Sequence, residues 1–426
     1  MKTTPLMLAL CFGALSSFRM SALANPPAPT PLAEVLRAAR NFELGLALSD
    51  QQVAIAKASR DTQEGGLWPR LEARLSYTRN QHDAVVSLPV GDATRNVTIT
   101  PFDQLEAQAT LTVPLLDLGL RARIGASELR VEGLSAQRED AARALDERVA
   151  TAYFQVAFAQ SRKDLASAEV ELVSLRIREL AVRQQAGFEN RLVIETAHAD
   201  LERARREVSA AEYDLASARL DLVMLSGKPA IVASLTGLSL PMSLEVALER
   251  VASLPAVRAA EAEARAHRRD ADAARLDLVP TVEAFVSDRL TNAAGFGEAN
   301  NISAGISARF AIDAPTMGRR DEALARARAA ELTAMIARRD AETRLRRLHL
   351  ERTQREAAVS AASAEVTARE AAFKDAEVRT KGGLATTLEL RTAERDRQAA
   401  WLELARAQAE LGLTQALFII AAGGTP

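Results

Sequence analysis

The sequence predicts a mainly α chain with a small membrane β-barrel contribution, built from internally duplicated long helical hairpins and four β-strands. Three observations carry this. The composition is 48% hydrophobic and 26% charged but only 4% aromatic, and its Ala, Leu, Arg and Glu richness is that of long packed helices. The chain nearly repeats itself, with residues 31–227 and 243–423 each running helix, strand pair, very long helix, tip and returning helix. Asp117 matches Asp313, Gly187 matches Gly383, Leu192 matches Leu388, Thr196 matches Thr392, Ala197 matches Ala393 and Gly227 matches Gly423, all at a constant spacing of 196 residues. A unit of this length is a duplicated half-molecule rather than a solenoid repeat.

The chain opens as an export leader over residues 1–24. Lys2 supplies the positive start, Leu6 to Phe18 the apolar stretch, and Ala22-Leu23-Ala24 a small-x-small cleavage site before Asn25. Arg19 interrupts it, which blurs the cut. Cys11 is the only cysteine, and bulky Leu10 before it disfavours a lipid anchor. The mature chain is then cysteine-free, which suits an oxidising compartment without a disulfide framework. Its net charge is near neutral, so no nucleic-acid partner is implied. After the leader no run of about 18 apolar residues appears, so any membrane crossing falls to strands.

The first repeat is expected over 25–227, with strands about 67–79 and 102–115 and a helical hairpin over 118–226. A linker, 228–242, leads to a second repeat, 243–426, with strands about 279–288 and 301–312 and a hairpin over 315–421. The strands show period-two alternation. Leu71, Ala73, Leu75 and Tyr77 alternate with Arg70, Glu72, Arg74 and Ser76. Leu105, Ala107, Ala109, Leu111 and Val113 alternate with Gln104, Glu106, Gln108 and Thr110. Val282, Ala284 and Val286 continue the pattern, broken by Phe285, and Ile302, Ala304, Ile306, Ala308 and Phe310 complete it. At about ten residues each, the strands are long enough to cross a bilayer with one lipid face and one wet face. A soluble sheet packed on a helix satisfies the same alternation, but the charged wet faces and the export leader favour a membrane. Four strands cannot close a barrel, and an open edge is not tolerated in lipid, so several chains must pool them. Residues 80–101 and 291–300 would then be the outer loops. Trp68 and Phe102, at strand ends, suit either aromatic girdles or packed junctions.

Leu118 to Gln185 contains no proline and, as helix, reaches about 100 Å. Met317 to Lys381 repeats this. Leu165, Ala168, Leu172 and Leu175 form one apolar stripe, with Val170, Val173, Ile177 and Leu180 beside it. Two adjacent seams imply neighbours on two sides, as in a wall of helices, where a dimeric coiled coil needs one. Each long helix stops at a short polar tip around Gly187 or Gly382-Gly383, since glycine ends helices in a left-handed turn.

These features together resemble the TolC-type outer-membrane efflux proteins. The resemblance rests on Leu32-Ala33-Glu34-Val35-Leu36 and Leu244-Glu245-Val246-Ala247-Leu248 as opening helices. It rests also on Leu67-Trp68-Pro69-Arg70-Leu71 and Leu278-Val279-Pro280-Thr281-Val282 as strand entries, and on Val113-Pro114-Leu115-Leu116-Asp117 as a strand exit. The second copy, Arg309-Phe310-Ala311-Ile312-Asp313, lacks the proline. The resemblance implies a homotrimer whose pooled strands form a 12-stranded barrel in outer-membrane lipid, continued by an α-helical tunnel across the periplasm. It implies a passive exit duct of a tripartite efflux or type I secretion system, served by a periplasmic adaptor and an inner-membrane pump. The hairpin tips, Gly187, Phe188, Asn190, Gly382, Gly383 and Leu384, would close the periplasmic entrance and touch the adaptor. Glu389, six residues past Gly383, matches the family's pore-narrowing acid, and Glu195 lies near the equivalent place in the first half. The family's second acid is Thr392 here, which weakens a double acidic ring.

No enzyme is expected. His82, His198, His267 and His349 are scattered without ligand spacing, and there is no G-x-S-x-G elbow, P-loop or dinucleotide fingerprint. No cofactor or metal is expected either. A periplasmic coiled-coil adaptor or tether is the alternative reading, although it would not need two matched halves.

Overall fold

The computed structural model describes residues 30–90, 93–188, 190–232, 242–310 and 313–426. The expected leader lies outside them, as do residues 311–312 at the end of the fourth strand and most of the linker. Helices α1 (Leu32–Phe42) and α2 (Leu44–Gly65) lead into strand β1 (Arg70–Arg79). Strands β2 (Ala84–Val90), β3 (Ala93–Thr100) and β4 (Asp103–Leu116) precede helices α3 (Leu118–Gln185) and α4 (Arg191–Ser226). The second half repeats the order with α5 (Leu244–Glu249), a 3-10 turn at Val251–Ser253, and α6 (Pro255–Leu276). Strands β5 (Thr281–Thr291) and β6 (Asn300–Arg309) follow, then α7 (Ala314–Lys381) and α8 (Thr387–Ala421). Helices α3 and α7 are each 68 residues long. No described helix is long and apolar enough to cross a membrane.

The four expected strands form one antiparallel sheet in the order β1-β4-β5-β6. Their register aligns the apolar positions into rows. Leu71, Leu111, Val286 and Ala304 form one, and Val113, Ala284 and Ile306 another. The opposite face carries Glu72, Thr110, Ser287 and Ser303 in register, with Gln108 Nε2 donating to Ser287 Oγ at 3.0 Å. Phe285, which broke the alternation, sits on this polar face beside Gly305. A Cβ there would lie 3.0 Å from the Phe285 ring, so the missing side chain is what makes room for it. Between Pro114 and Leu116 the β4–β5 register shifts, as expected where proline cannot donate to the ladder. Residues 80–101 differ from the plain loop expected. They fold into the separate β2–β3 hairpin, with Ser87 Oγ donating to Asn96 Oδ1 at 2.7 Å.

Strand β4 passes directly into α3 through Asp117, and Asp313 opens α7 in the same way. Asp117 accepts from Leu120 N at 2.6 Å and Asp313 from Thr316 N at 2.8 Å, satisfying helix-start donors that otherwise lack partners. Near the sheet the helices pack side by side in the order α2, α3, α6, α7. Towards the tips, α4 and α8 replace α2 and α6, giving α4, α3, α8, α7. The core sits between these zones, where α1 and the returning ends of α4 and α8 pack on α3. Leu36, Leu145, Val149, Val156, Leu222 and Ile420 are buried there. Asp146 is buried with them, and Arg40 Nε donates to its Oδ1 at 2.9 Å. Of the two stripes on α3, Val173 and Leu180 are buried within the chain, whereas Ala168 and Leu175 of the other face outward.

Gly412 lies in the interior of α8, directly against the Phe154 ring of α3. Gly412→Ala improves helix propensity by about 1 kcal/mol but overpacks the contact at about 1–3 kcal/mol. Clash outweighs propensity, and thermal unfolding should show Gly412→Ala melting below wild type. A melting temperature at or above wild type would contradict the packing described.

Candidate functional site

The two hairpin tips are built alike. At the first, Gly187 N donates to Gln184 O at 2.9 Å and Phe188 N to Arg183 O at 2.9 Å. At the second, Gly383 N donates to Thr380 O at 3.1 Å and Leu384 N to Arg379 O at 2.8 Å. Gly187 (φ 76°) and Gly383 (φ 71°) take the left-handed conformation this double closure needs, which glycine adopts without a Cβ penalty. Both tips thereby present an apolar residue to solvent, Phe188 at 81% and Leu384 at 76% exposure. Gly382 is the cap of α7, and Asn190 caps α4 by accepting from Leu192 N at 3.2 Å.

Glu389 is the third residue of α8 and meets the side chain of the capping residue, Thr386. Thr386 Oγ1 accepts from Glu389 N at 3.2 Å while the Glu389 carboxylate lies 3.4 Å from that hydroxyl. Its side chain is exposed and lines a groove with Leu388, Thr392 and Asp396. Glu195 is exposed too, one turn from Arg191 at 3.5 Å. The two acids therefore differ: one has a structural role at a helix start, and the other is half neutralised by its own helix.

A more deeply buried ionic site lies two to three turns along α8 from the tip, where α8 meets α3 and α4. Arg176 of α3 pairs with Glu394 of α8 at 2.5 Å, with side chains 19% and 4% exposed. Arg391 of α8 pairs with Asp200 of α4, which also faces Arg203 at 3.4 Å. A cavity of about 350 Å³ separates the helices here, with Leu165, Ala166 and Val173 on one wall and Ala399 and Leu402 on the other. Glu394 Oε1 is buried without a hydrogen-bond partner. Glu169, on the α3 wall, has its carboxyl pushed up by burial and then by Glu394, and Arg176, Arg397 and Arg395 pull it partly back. Burial, with Arg395 and Arg176 nearby, lowers Arg391 from the usual arginine value. Sequence reading passed over this site because Arg and Glu at helical spacing ordinarily mark a solvated face. The alanines flanking it on α8, Ala399 and Ala400, were the one available signal of close approach. Among the described residues no cluster of His, Cys, Asp or Glu is arranged to hold a metal ion.

Both hairpins spring from one four-stranded sheet, and each carries a 68-residue helix about 100 Å long. The resemblance to the TolC-type outer-membrane efflux family drawn from the sequence stands, since residues 35–228 match the family described as outer membrane efflux protein. That span is nearly the whole first repeat. Solved structures match across both repeats. CusC superposes with a TM-score of 0.77 at 17% identity over 92% of each chain. VceC from Vibrio cholerae gives 0.75 at 17%, covering 92% of this chain and 96% of its own. The open state of MtrE from Neisseria gonorrhoeae gives 0.75 at 20%, covering 92% and 89%. No curated protein sequence matches the chain.

Removing Glu394 leaves Arg176 charged and nearly dry. Breaking such a pair costs about 3–5 kcal/mol, whereas replacing both partners by apolar groups of similar volume is close to neutral. Glu394→Ala should therefore lower the unfolding midpoint clearly, and Arg176→Met with Glu394→Leu should recover most of the loss. Equal loss in the single and double variants would show the pair to be unimportant.

Proposed function

We propose that the chain is the outer-membrane exit duct of a tripartite efflux or type I secretion system, reaching into the periplasm and passing substrate passively from an inner-membrane pump. One observation carries this. The sheet exposes a continuous Leu/Ile face, with Leu71 at 71%, Leu75 at 79% and Ile306 at 72%, while its other face is polar. Water penalises that face at roughly 25 cal/mol per Å² of apolar surface, and lipid does not. The two edge strands, β1 and β6, still need partners, because unpaired backbone is not tolerated in a bilayer.

The partners that fit are further copies of the chain. In the four-helix layer near the sheet, α2 and α7 are the end helices. The former exposes Leu44, Leu48 and Ile55, the latter Leu332, Met335 and Ile336. Docking α2 of one copy on α7 of the next buries both rows and brings β6 beside β1. Three copies give 12 strands, the number the family resemblance implies, and close the barrel and tunnel together. The apolar tips, Phe188 and Leu384, suit an adaptor's helical hairpins, and Glu389 with Glu195 would ring the entrance.

Two measurements test this reading. Native mass spectrometry in detergent should return a trimer that Leu332→Glu with Met335→Glu reduces to monomer. A wild-type monomer recovered from the soluble periplasm without detergent would instead select the adaptor alternative. Single-channel recording of Glu389→Gln tests the gate. Glutamine keeps an acceptor for the Thr386 hydroxyl but removes the charge, so block by multivalent cations should weaken while the fold stays intact. Unchanged block would remove Glu389 from the gate.

A further inference from the structure

The half of the molecule nearest the tips is held together unevenly. Inside the first hairpin, Arg162 of α3 reaches Glu207 at 2.6 Å and also pairs with Asp214, both on α4. Inside the second, Arg369 of α7 reaches Asp396 of α8 at 2.7 Å, and Arg397 stacks on Phe373 at 4.0 Å. Across the seam between hairpins the ties are Arg176–Glu394 and Arg391–Asp200, and a cavity takes the place of a packed core. Such a seam is the low-stability boundary of the fold. We propose that Glu169 and Glu394 form a proton-sensitive latch that seats α8 on the first hairpin, tight in acid and looser as pH rises.

The geometry supplies both parts of the latch. Glu394 is almost fully buried, with Oε2 committed to Arg176 and Oε1 unpartnered. Glu169, itself half-buried, faces the same cavity, and a proton on it eases the crowding of the two carboxylates there. Its surroundings are otherwise settled. On α3, Arg162 is engaged by Glu207 and Asp214, and Arg176 by Glu394. On α4, Asp200 holds Arg203 and Arg391. From α8, Arg395 and Arg397 also favour the ionised form of Glu169, but burial and Glu394 outweigh them. In the latched form Glu169 therefore holds its proton to a higher pH than an exposed glutamate does. The latch is fully favoured below the ordinary carboxylate range. It loses ground as pH climbs from that range through the raised value, each unit of difference being worth about tenfold in the latch equilibrium.

The consequence for conduction rests on the channel reading, but the movement itself does not, so two readouts separate them. Spin labels on Leu192→Cys and Leu388→Cys, both exposed and on opposite hairpins, report seating in the full-length, otherwise unaltered chain. The distance distribution should be narrow in acid and broaden at mildly alkaline pH. Glu169→Gln, neutral throughout, should stay narrow at every pH. Single-channel conductance should follow the same pattern, rising several-fold with pH in wild type and staying low in Glu169→Gln. A wild-type distance that does not move with pH, or a Glu169→Gln variant that keeps the wild-type response, overturns the latch. Labels that move with pH in a protein that never conducts leave the latch standing and overturn the channel.

Discussion

The one-sidedness of the sheet governs everything else in this chain. Strands that alternate Leu and Ile with Glu, Arg and Ser cannot place both faces in one solvent, and four of them cannot remove their own edges. The proposed placement, with lipid on one face, water on the other and further copies completing the ladder, follows from that asymmetry. Helices that start close to its strands inherit this geometry. Asp117 starts α3 immediately after β4 and Asp313 starts α7 a few residues beyond β6, so the placement of the strands fixes where the helical wall begins.

Duplication supplies the frame, and divergence supplies the joints. Asp200 and Asp396 occupy equivalent places in the two halves but serve different partners. Asp396 holds Arg369 inside its own hairpin, while Asp200 holds Arg391 of the other half. The position of Arg391 is filled by Glu195 in the first repeat. One charge reversal thus turns a position that is ion-paired within its own helix into a tie between hairpins. Where the halves must be alike, at the glycine turns of the tips, the hydrogen-bond pattern is the same in both.

Much of this was legible in the sequence, for reasons that are local. Alternation marked all four sheet strands, the absence of proline marked α3 and α7, and glycines at constant spacing marked the tips. What escaped depends on residues far apart in the chain. Phe285 looked like an error in its strand until register placed it beside Gly305. The β2–β3 hairpin read as loop because Ser87, Pro89, Arg95 and Asn96 interrupt its runs of Val, Thr and Ile. Glu394 is indistinguishable by spacing from its exposed neighbours, and only the approach of α3, more than two hundred residues earlier, makes it dry.

The order of helices near the sheet has one more consequence. There α2 and α6 arrive with their C-termini, and α3 and α7 depart with their N-termini, so neighbouring helices run in opposite senses. Each helix carries about half a positive charge at its start and half a negative one at its end. Around any ring built from copies of this chain those partial charges alternate and nearly cancel. The wall is long but carries almost no axial backbone field, so its electrical character rests on side chains and can be retuned by surface substitutions without disturbing its architecture.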